Sequence, residues 1–330
     1  MRYWKPFTLL TVLCICLFAF SGIAGAADKI SLMWGSTSQS SGMYPMNVAM
    51  AEVINKNLPE VSVTVLETGA TNDNFKRMER GEVSFGQAGA TDVFMANNSA
   101  GVWKNSGMKR PRVLVSANPQ AYLFAVTEES GVKKLADLNG KSFNPGLKGS
   151  ITELLGYSVF ETLGIKPQFV PGSTGEAVDA MKDRRIVGFT KNSTVTSPDS
   201  SVQDVATARK VYILSFSKEE QEKFLKVFPF YSFVTLDKQI YGQAADITTL
   251  GANFGVAVDR DLDAGLVYKI FKAITDNGTY IGQTYAGVRG VDMVALTASS
   301  KAWLHPGVIR YLKEKGYKLT PDQIPPEYKE

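Results

Sequence analysis

Hydroxyl side chains are concentrated in one glycine-containing loop near the start of the chain, at residues 34–45. An apolar strand pattern precedes this loop and an amphipathic helix pattern follows it, with Pro45 suited to the first helical turn. Because the first N–H groups of a helix have no partner within it, such a loop can bind a carboxylate or a phosphate. No nucleotide-binding glycine pattern is present. An ordinary strand–helix connection explains the same residues, so both interpretations stay open.

Residues suited to nucleophilic or metal-assisted catalysis are scarce. His305 is the one histidine of the chain, and a lone histidine before a C-terminal helix is usually structural. Cys14 and Cys16 both lie in an apolar N-terminal run, and the chain has no C-x-x-C, H-E-x-x-H or EF-hand pattern. The sequence therefore predicts no cofactor, no metal site and no catalytic residue, and it favours binding over catalysis.

The N-terminus has the features of a secretory signal peptide over residues 1–26. Basic residues begin the chain, an apolar run follows at residues 7–20, and small residues end it at 24–27. Without Arg2 and Lys5 the formal net charge falls from +4 to +2, and basic residues are interleaved with acidic ones, so nucleic acid is not an expected partner. We expect an exported, soluble protein that does not span a membrane when mature.

Two further segments repeat the strand–loop–helix pattern. Residues 61–65 alternate as a strand before a polar loop, and residues 83–87 form a strand before Thr91 and Asp92, which suit an N-cap and a first helical turn. Three successive units of this kind predict parallel strands joined by right-handed crossovers. Their loops then meet at the carboxyl edge of the sheet, where open α/β sheets bind ligands, although every doubly wound sheet has loops there.

A second series of strands and helices begins near residue 141. Ser150 and Glu153 have the spacing of a capping box at the start of a helix, and Lys148 in the preceding loop could pair with an anion. The length predicts two domains. Two similar apolar strands predict paired connections between these domains. We expect a first lobe of residues 28–124 plus 256–330 and a second lobe of residues 125–255.

Other segments give less regular patterns. The sequence predicts separate strands at residues 112–115 and 122–126, because a polar stretch lies between them. It also predicts a loop at residues 190–194 and an irregular aromatic segment at residues 230–243.

Five motifs occur in a characteristic order. They are Gly35-Ser36-Thr37, Gly42-Met43-Tyr44-Pro45, Thr68-Gly69-Ala70-Thr71-Asn72-Asp73-Asn74, Gln87 with Asp92, and Gly149-Ser150-Ile151-Thr152-Glu153. This ordered set resembles the TAXI family, the extracytoplasmic solute receptors of tripartite ATP-independent periplasmic (TRAP) transporters. The similarity extends over most of the mature chain.

The resemblance implies a type II periplasmic-binding-protein fold, an α/β architecture of two lobes with a ligand cleft between them and two connecting strands. It implies capture of a small organic acid, such as glutamate or 2-oxoglutarate, in the periplasm. The partners that it implies are TRAP membrane permease subunits driven by an ion gradient. The ligand-binding residues that it implies are Ser36, Thr37, Tyr44, Thr71, Asn74, Gln87, Ser150 and Thr152. The chain departs from the family pattern at residues 41–44 and after Gln87, which affects ligand identity more than fold.

These observations predict one binding mechanism. A carboxylate binds to N–H groups at the three helix starts of the first lobe, and Ser150, Thr152 and Lys148 close over it from the second lobe. Replacing Asn74 or Tyr44 by alanine is expected to weaken binding without lowering the stability of the ligand-free protein. There are two alternatives. The protein could be an exported binding protein that presents its ligand to a membrane sensor, or an exported enzyme that acts on a small carboxylate.

Overall fold

The computed structural model describes Met1 and residues 29–37, 39, 43–148 and 150–329. Apart from Met1, the predicted signal peptide lies outside these residues. Its strands are β1 (Ile30–Gly35), β2 (Val61–Leu66), β3 (Phe85–Gly89), β4 (Pro111–Thr127), β5 (Ser142–Asn144), β6 (Gln168–Phe169), β7 (Gly188–Thr194), β8 (Val211–Ile213), β9 (Ser232–Leu236) and β10 (Ile247–Asp259). Its helices are α1 (Tyr44–Asn57), α2 (Thr71–Glu79), α3 (Ala90–Asn97), α4 (Ile151–Leu163), α5 (Thr174–Lys182), α6 (Ser200–Ala206), α7 (Lys218–Val227), α8 (Ala264–Asp276), α9 (Gly278–Thr284), α10 (Met293–Ala298) and α11 (Pro306–Glu314).

The strands form one mixed sheet in the order β2-β1-β3-β10-β4-β7-β5-β6, with β8 beside β4 and β9 beside β10. We call β1 to α3 the first series and β5 to β7 the second series. β1 is parallel to β2 and to β3, which confirms the parallel arrangement predicted for the first three units. β5 is likewise parallel to β6 and to β7. The loops that follow the parallel strands of each series therefore lie at one edge of that series.

Apolar side chains explain why each series packs as it does. Trp34 of β1 and Phe85 of β3 are fully buried, with ring centroids 5.0 Å apart. In the second series, Phe143 of β5 and Phe160 of α4 are also buried, with an edge-to-face contact at 5.4 Å. Burying large aromatic rings on each sheet face fixes the helices against the strands and so fixes the positions of the loops.

Two long strands connect the series. β4 and β10 pair in antiparallel fashion over most of their length, with irregularities between Phe254 and Gly255 and between Val256 and Ala257. The prediction of separate strands at residues 112–115 and 122–126 is wrong, because β4 is continuous from Pro111 to Thr127. The polar residues between them are part of the strand and are buried within the molecule. The lobe boundaries expected from the sequence stay predictions.

Two other segments differ from expectation because long strands pair with them. Residues 190–194, predicted as a loop, belong to β7 and pair with residues 120–124 of β4. The aromatic segment at residues 230–243 contains β9, which pairs with β10. In each case, a neighbouring strand supplies the backbone hydrogen bonds that local composition did not reveal, and for β7 that strand is distant in sequence.

Most helix ends follow the predicted chemistry. Pro45 lies in the first turn of α1, and Ser150 Oγ accepts a hydrogen bond from the Glu153 N–H at 3.2 Å. The prediction of Thr91 as an N-cap is wrong, since α3 begins at Ala90 with Gly89 as its cap residue. In the described part of the chain, no helix combines the length and apolar character needed to cross a bilayer.

Candidate functional site

A cavity of about 360 Å³ lies between the two series of strands and helices. One side is formed by Thr37, Met43, Thr68, Gly69, Ala70, Thr71, Asn72 and Gln87. The other side is formed by Leu147, Lys148, Ser150, Ile151, Thr152, Lys191 and Asn192, and Phe254 of β10 completes the lining. Cavities of about 390 and 420 Å³ are each lined by one continuous segment, at residues 275–291 and 157–169. The shape of the cavity between the series, unlike that of these two, therefore depends on how the two series are placed.

Two helix starts face this cavity from opposite sides. Ala70, Thr71 and Asn72 belong to the start of α2, and Ser150, Ile151 and Thr152 to the start of α4. The first N–H groups of each helix lack intrahelical partners, and the positive end of the helix dipole lies there. Opposed helix starts of this kind favour a negatively charged guest.

The charged lining residues are both cationic. Lys148 precedes α4 and Lys191 lies on β7, and none of the described lining residues is an aspartate or glutamate. Within the described residues, neither ammonium group forms a salt bridge. Lys148 interacts electrostatically with Glu176, which lies outside the lining, and two ammonium groups at the cavity give it a positive potential that attracts anions.

The structure places five of the eight predicted site residues on the cavity lining. They are Thr37, Thr71, Gln87, Ser150 and Thr152. Ser36 and Asn74 are fully buried behind the lining, and Tyr44 is partly buried at the start of α1. Of the three first-series helix starts in the predicted mechanism, that of α2 lines the cavity with three residues and that of α1 with its N-cap residue Met43, whereas among the described residues the start of α3 contributes none.

Asn74 connects the loops on the first-series side. Its Nδ2 donates to the Ser36 carbonyl at 2.9 Å and to the Gln87 carbonyl at 3.2 Å, while its Oδ1 accepts from the Thr68 hydroxyl at 2.7 Å. Addition of a Cβ at Gly35 would meet Asn74 Oδ1 at 2.4 Å, so glycine permits this close packing. Asn74 thus ties together the loops after β1, β2 and β3.

Asn47 makes a second buried connection that the sequence interpretation missed. Its Nδ2 donates to Ser36 Oγ at 2.8 Å and to Gln87 Oε1 at 3.0 Å, and its Oδ1 accepts from Trp34 Nε1 at 3.1 Å. An asparagine on the buried face of an otherwise apolar helix was the available signal, because a buried amide must find hydrogen-bond partners. These contacts fix the orientation of the Gln87 side chain at the cavity.

The start of α3 is occupied by the protein itself. Asp92 is buried, and its Oδ2 accepts from the Gly89 N–H at 2.8 Å. Burial raises the pKa of Asp92 to about 7, and the hydrogen bond from Gly89 opposes this shift. An internal carboxyl group therefore uses the N–H that a ligand anion would need at this helix start.

His305 has a structural role, as the sequence suggested. It is fully buried as the N-cap of α11, and its Nδ1 accepts from the Gly307 N–H at 3.2 Å. Burial lowers its pKa to about 4, so the imidazole is neutral at pH 7. Among the described residues, no group of three or more His, Cys, Asp or Glu side chains could hold a metal ion.

The mixed sheet holds two series of strands and helices with a cleft between them, an α/β arrangement that the sequence predicted. XAC2383 from Xanthomonas citri bound to ATP has a similar structure, with a TM-score of 0.52 and 12% sequence identity over 86% of this chain and 94% of that chain. The periplasmic aliphatic sulphonate binding protein SsuA from Escherichia coli gives a TM-score of 0.47 and 17% identity over 87% of this chain and 84% of that chain.

The sequence also identifies a family. Residues 34–316 match the model of the NMT1-like family, and the chain therefore belongs to that family. No curated protein is similar enough in sequence to count as a match.

Proposed function

We propose that this protein is a periplasmic solute-binding protein that captures a small organic acid and presents it to a membrane importer. The observation that carries the proposal is the two-sided cavity with Lys148 and Lys191, two opposed helix starts and no acidic lining residue. Its volume of about 360 Å³ is at the lower end for small-molecule sites, which favours a ligand of few atoms.

The lysines and the helix starts contribute different amounts to the free energy of anion binding. A helix start contributes roughly 0.3–1 kcal/mol toward an anion, and up to about 2 kcal/mol when partly buried. A hydrogen bond to a charged group contributes about 1.5–3 kcal/mol. The lysines of the second series therefore supply most of the attraction, and the first-series hydroxyl and amide groups orient the ligand.

We assign ligand contact to the predicted residues that line the cavity: Thr37, Thr71, Gln87, Ser150 and Thr152. Ser36 and Asn74 support the lining through the hydrogen bonds described above. Closure of the cleft excludes water and strengthens the contacts with the anion, and it gives the importer a different shape to recognise.

The proposed partner is the membrane permease of a TRAP-type secondary transporter, which the ordered motifs favour. Import into vesicles that contain the candidate permease would test this assignment. Transport driven by an imposed ion gradient supports it, whereas transport that requires ATP assigns the protein to an ATP-driven importer.

An enzyme is the less favoured candidate. The sole histidine is buried as a helix cap, and the described lining residues offer hydroxyl groups but no histidine or carboxylate. Incubation of the purified protein with a bound acid, followed by mass spectrometry, separates the two functions: a binding protein returns its ligand unchanged.

Isothermal titration calorimetry of the mature protein with mono- and dicarboxylates tests the central proposal. Lys148→Gln and Lys191→Gln are each expected to weaken binding roughly 10- to 100-fold, because each removes a charge-assisted contact. Lys141→Gln is the matched control, since Lys141 is exposed in the same series but does not line the cavity. Equal affinities in all three variants and the unmodified protein, or tighter binding of cations than of acids, would contradict the proposal.

A further inference from the structure

Three side-chain amides form a row at the back of the cavity, across the connection between the two series. Asn192 Nδ2 of β7 donates to Gln120 Oε1 of β4 at 2.6 Å. Gln120 Nε2 lies 3.8 Å from the sulfur of Met43, and Gln87 Nε2 lies 3.3 Å from the same sulfur. The side-chain N–H groups of Gln87 and Gln120 therefore both point toward the Met43 thioether.

The hydrogen-bond network fixes which end of each amide faces the sulfur. The oxygen of Gln87 accepts from Asn47, and the oxygen of Gln120 accepts from Asn192. Each amide must therefore direct its NH₂ group toward Met43. Both glutamine side chains are buried, so their orientation does not depend on solvent.

A thioether sulfur is a weak hydrogen-bond acceptor. The buried Gln87 amide, which has given up water for such an acceptor, recovers little of the hydrogen-bond energy that it lost. The Gln120 amide also donates to the Tyr285 hydroxyl group, and its other N–H remains for the sulfur. An oxygen atom in place of the sulfur would be a stronger acceptor for both amides. Met43, Gln87 and Asn192 line the cavity, so that a ligand oxygen can reach this position when the methionine side chain turns aside.

We propose that Gln87, Gln120 and Asn192 form a subsite for an uncharged oxygen of the ligand, and that the Met43 thioether holds this position until the ligand displaces it. The proposal rests on the function proposed above and defines the ligand further. The ligand is an organic acid that carries a hydroxyl, carbonyl or amide oxygen near its carboxylate. Gln120 becomes a specificity-determining residue, although it lies behind the lining.

Pairs of acids that differ by one oxygen test the subsite. Calorimetry compares succinate with malate, glutarate with 2-hydroxyglutarate, and propanoate with lactate. In the unmodified protein, the hydroxylated member of a pair is expected to bind roughly 3- to 10-fold more tightly for each hydrogen bond gained. Gln120→Met, which removes the donor while keeping a side chain of similar length, is expected to abolish this preference, measured as the ratio of the two affinities within each pair.

Two further variants complete the design. Gln239→Met is the matched control, because Gln239 is exposed and distant from the cavity lining. Met43→Leu keeps the volume but removes the sulfur, so the preference for the hydroxylated acid is expected to persist or to increase. Because Met43→Leu is a conservative change, it keeps the subsite testable if Gln120→Met does not fold.

The outcomes separate the subsite from the proposed function. Equal binding of both members of every pair, or an equal loss for both members in Gln120→Met, overturns the subsite alone, since the lysine variants still report anion binding. Loss of the preference in Met43→Leu would also overturn it. If no acid of any pair binds, the proposed function fails and the subsite fails with it.

Discussion

The starts of α4 and α5 share the same sequence pattern but differ in what they can bind. Both have a serine cap followed three residues later by glutamate, and in both the serine oxygen accepts from the N–H of that glutamate at 3.2 Å. In α5 the Glu176 carboxylate also accepts from the Ser173 N–H at 2.7 Å. In α4 the Ser150 N–H donates instead to the carbonyl of Leu147 at 3.0 Å.

The difference shows that a capping pattern predicts a helix start but not its availability to a ligand. Both helices carry a glutamate in the first turn, but only in α5 does that carboxylate accept from the N–H of the cap serine, so that the α5 start closes on itself. The α4 start is joined to a loop that lines the cavity and carries Lys148. Tertiary surroundings, rather than the cap itself, therefore distinguish a binding helix start from a structural one.

The α3 start extends the comparison, and Asp92→Asn should give the largest effect. The pKa of the Asp92 carboxyl group, about 7 in the folded protein, lies above the ordinary value of 3.8. The stability that Asp92 contributes is thus fully present below about pH 4 and is lost as the pH rises through 7, by up to about 4 kcal/mol. An asparagine keeps an acceptor for the Gly89 N–H and does not ionise, so the variant should be more stable than the unmodified protein at pH 8.

Urea unfolding at pH 4.5, 6 and 8 measures this effect. His305 acts in the opposite direction: its pKa of about 4 lies below the ordinary 6.5, so its contribution is lost as the pH falls. Both proteins contain His305, and the difference between their profiles therefore isolates Asp92. A difference that does not change with pH would show that Asp92 is ionised throughout.

The α2 start depends on Asn74, and Asn74→Ala is expected to destabilise the ligand-free protein by about 2–4 kcal/mol. The change removes the amide donor to the Ser36 and Gln87 carbonyls and the acceptor of the Thr68 hydroxyl, although that hydroxyl still donates to the Ser36 carbonyl at 2.9 Å. The sequence-based expectation of unchanged stability is therefore revised. Asn72→Ala is the control, since Asn72 lines the cavity but is not fully buried. Thermal unfolding that gives the same midpoint for both variants would contradict this role for Asn74.

Local patterns predicted the first series well, because its strands alternate clearly and its helices begin with recognisable residues. Trp34, Pro45 and Gly81 lie where periodicity and cap chemistry placed them, and Gly81 has the positive φ of +73° expected after a helix. The three parallel units depend on residues close together in sequence. The continuous β4 and its pairing with β10 depend on residues far apart in sequence.

The site was less predictable, because its shape depends on contacts between distant segments. Lys191 and Asn192 belong to a polar stretch that resembles a loop, and only pairing with β4 makes it a strand beside the cavity. Gln120 lies in a polar stretch that the local pattern placed between two separate strands, whereas it is part of the continuous β4. Sequence alone could not show that Asp92 occupies the α3 start, since the same residues would also suit an open anion site.

Serine-to-alanine changes at the starts of α4 and α5 are expected to have the smallest effects, and they test the difference between these two helix starts most directly. Ser150→Ala and Ser173→Ala each remove an N-cap hydrogen bond, so each should lower the free energy of unfolding by about 1 kcal/mol. Ser150→Ala alone should also weaken binding of the acid, because only Ser150 lines the cavity between the series. Chemical unfolding and calorimetry on the same samples measure both quantities. Equal loss of affinity in the two variants would mean that the α4 start is no more a binding site than the α5 start.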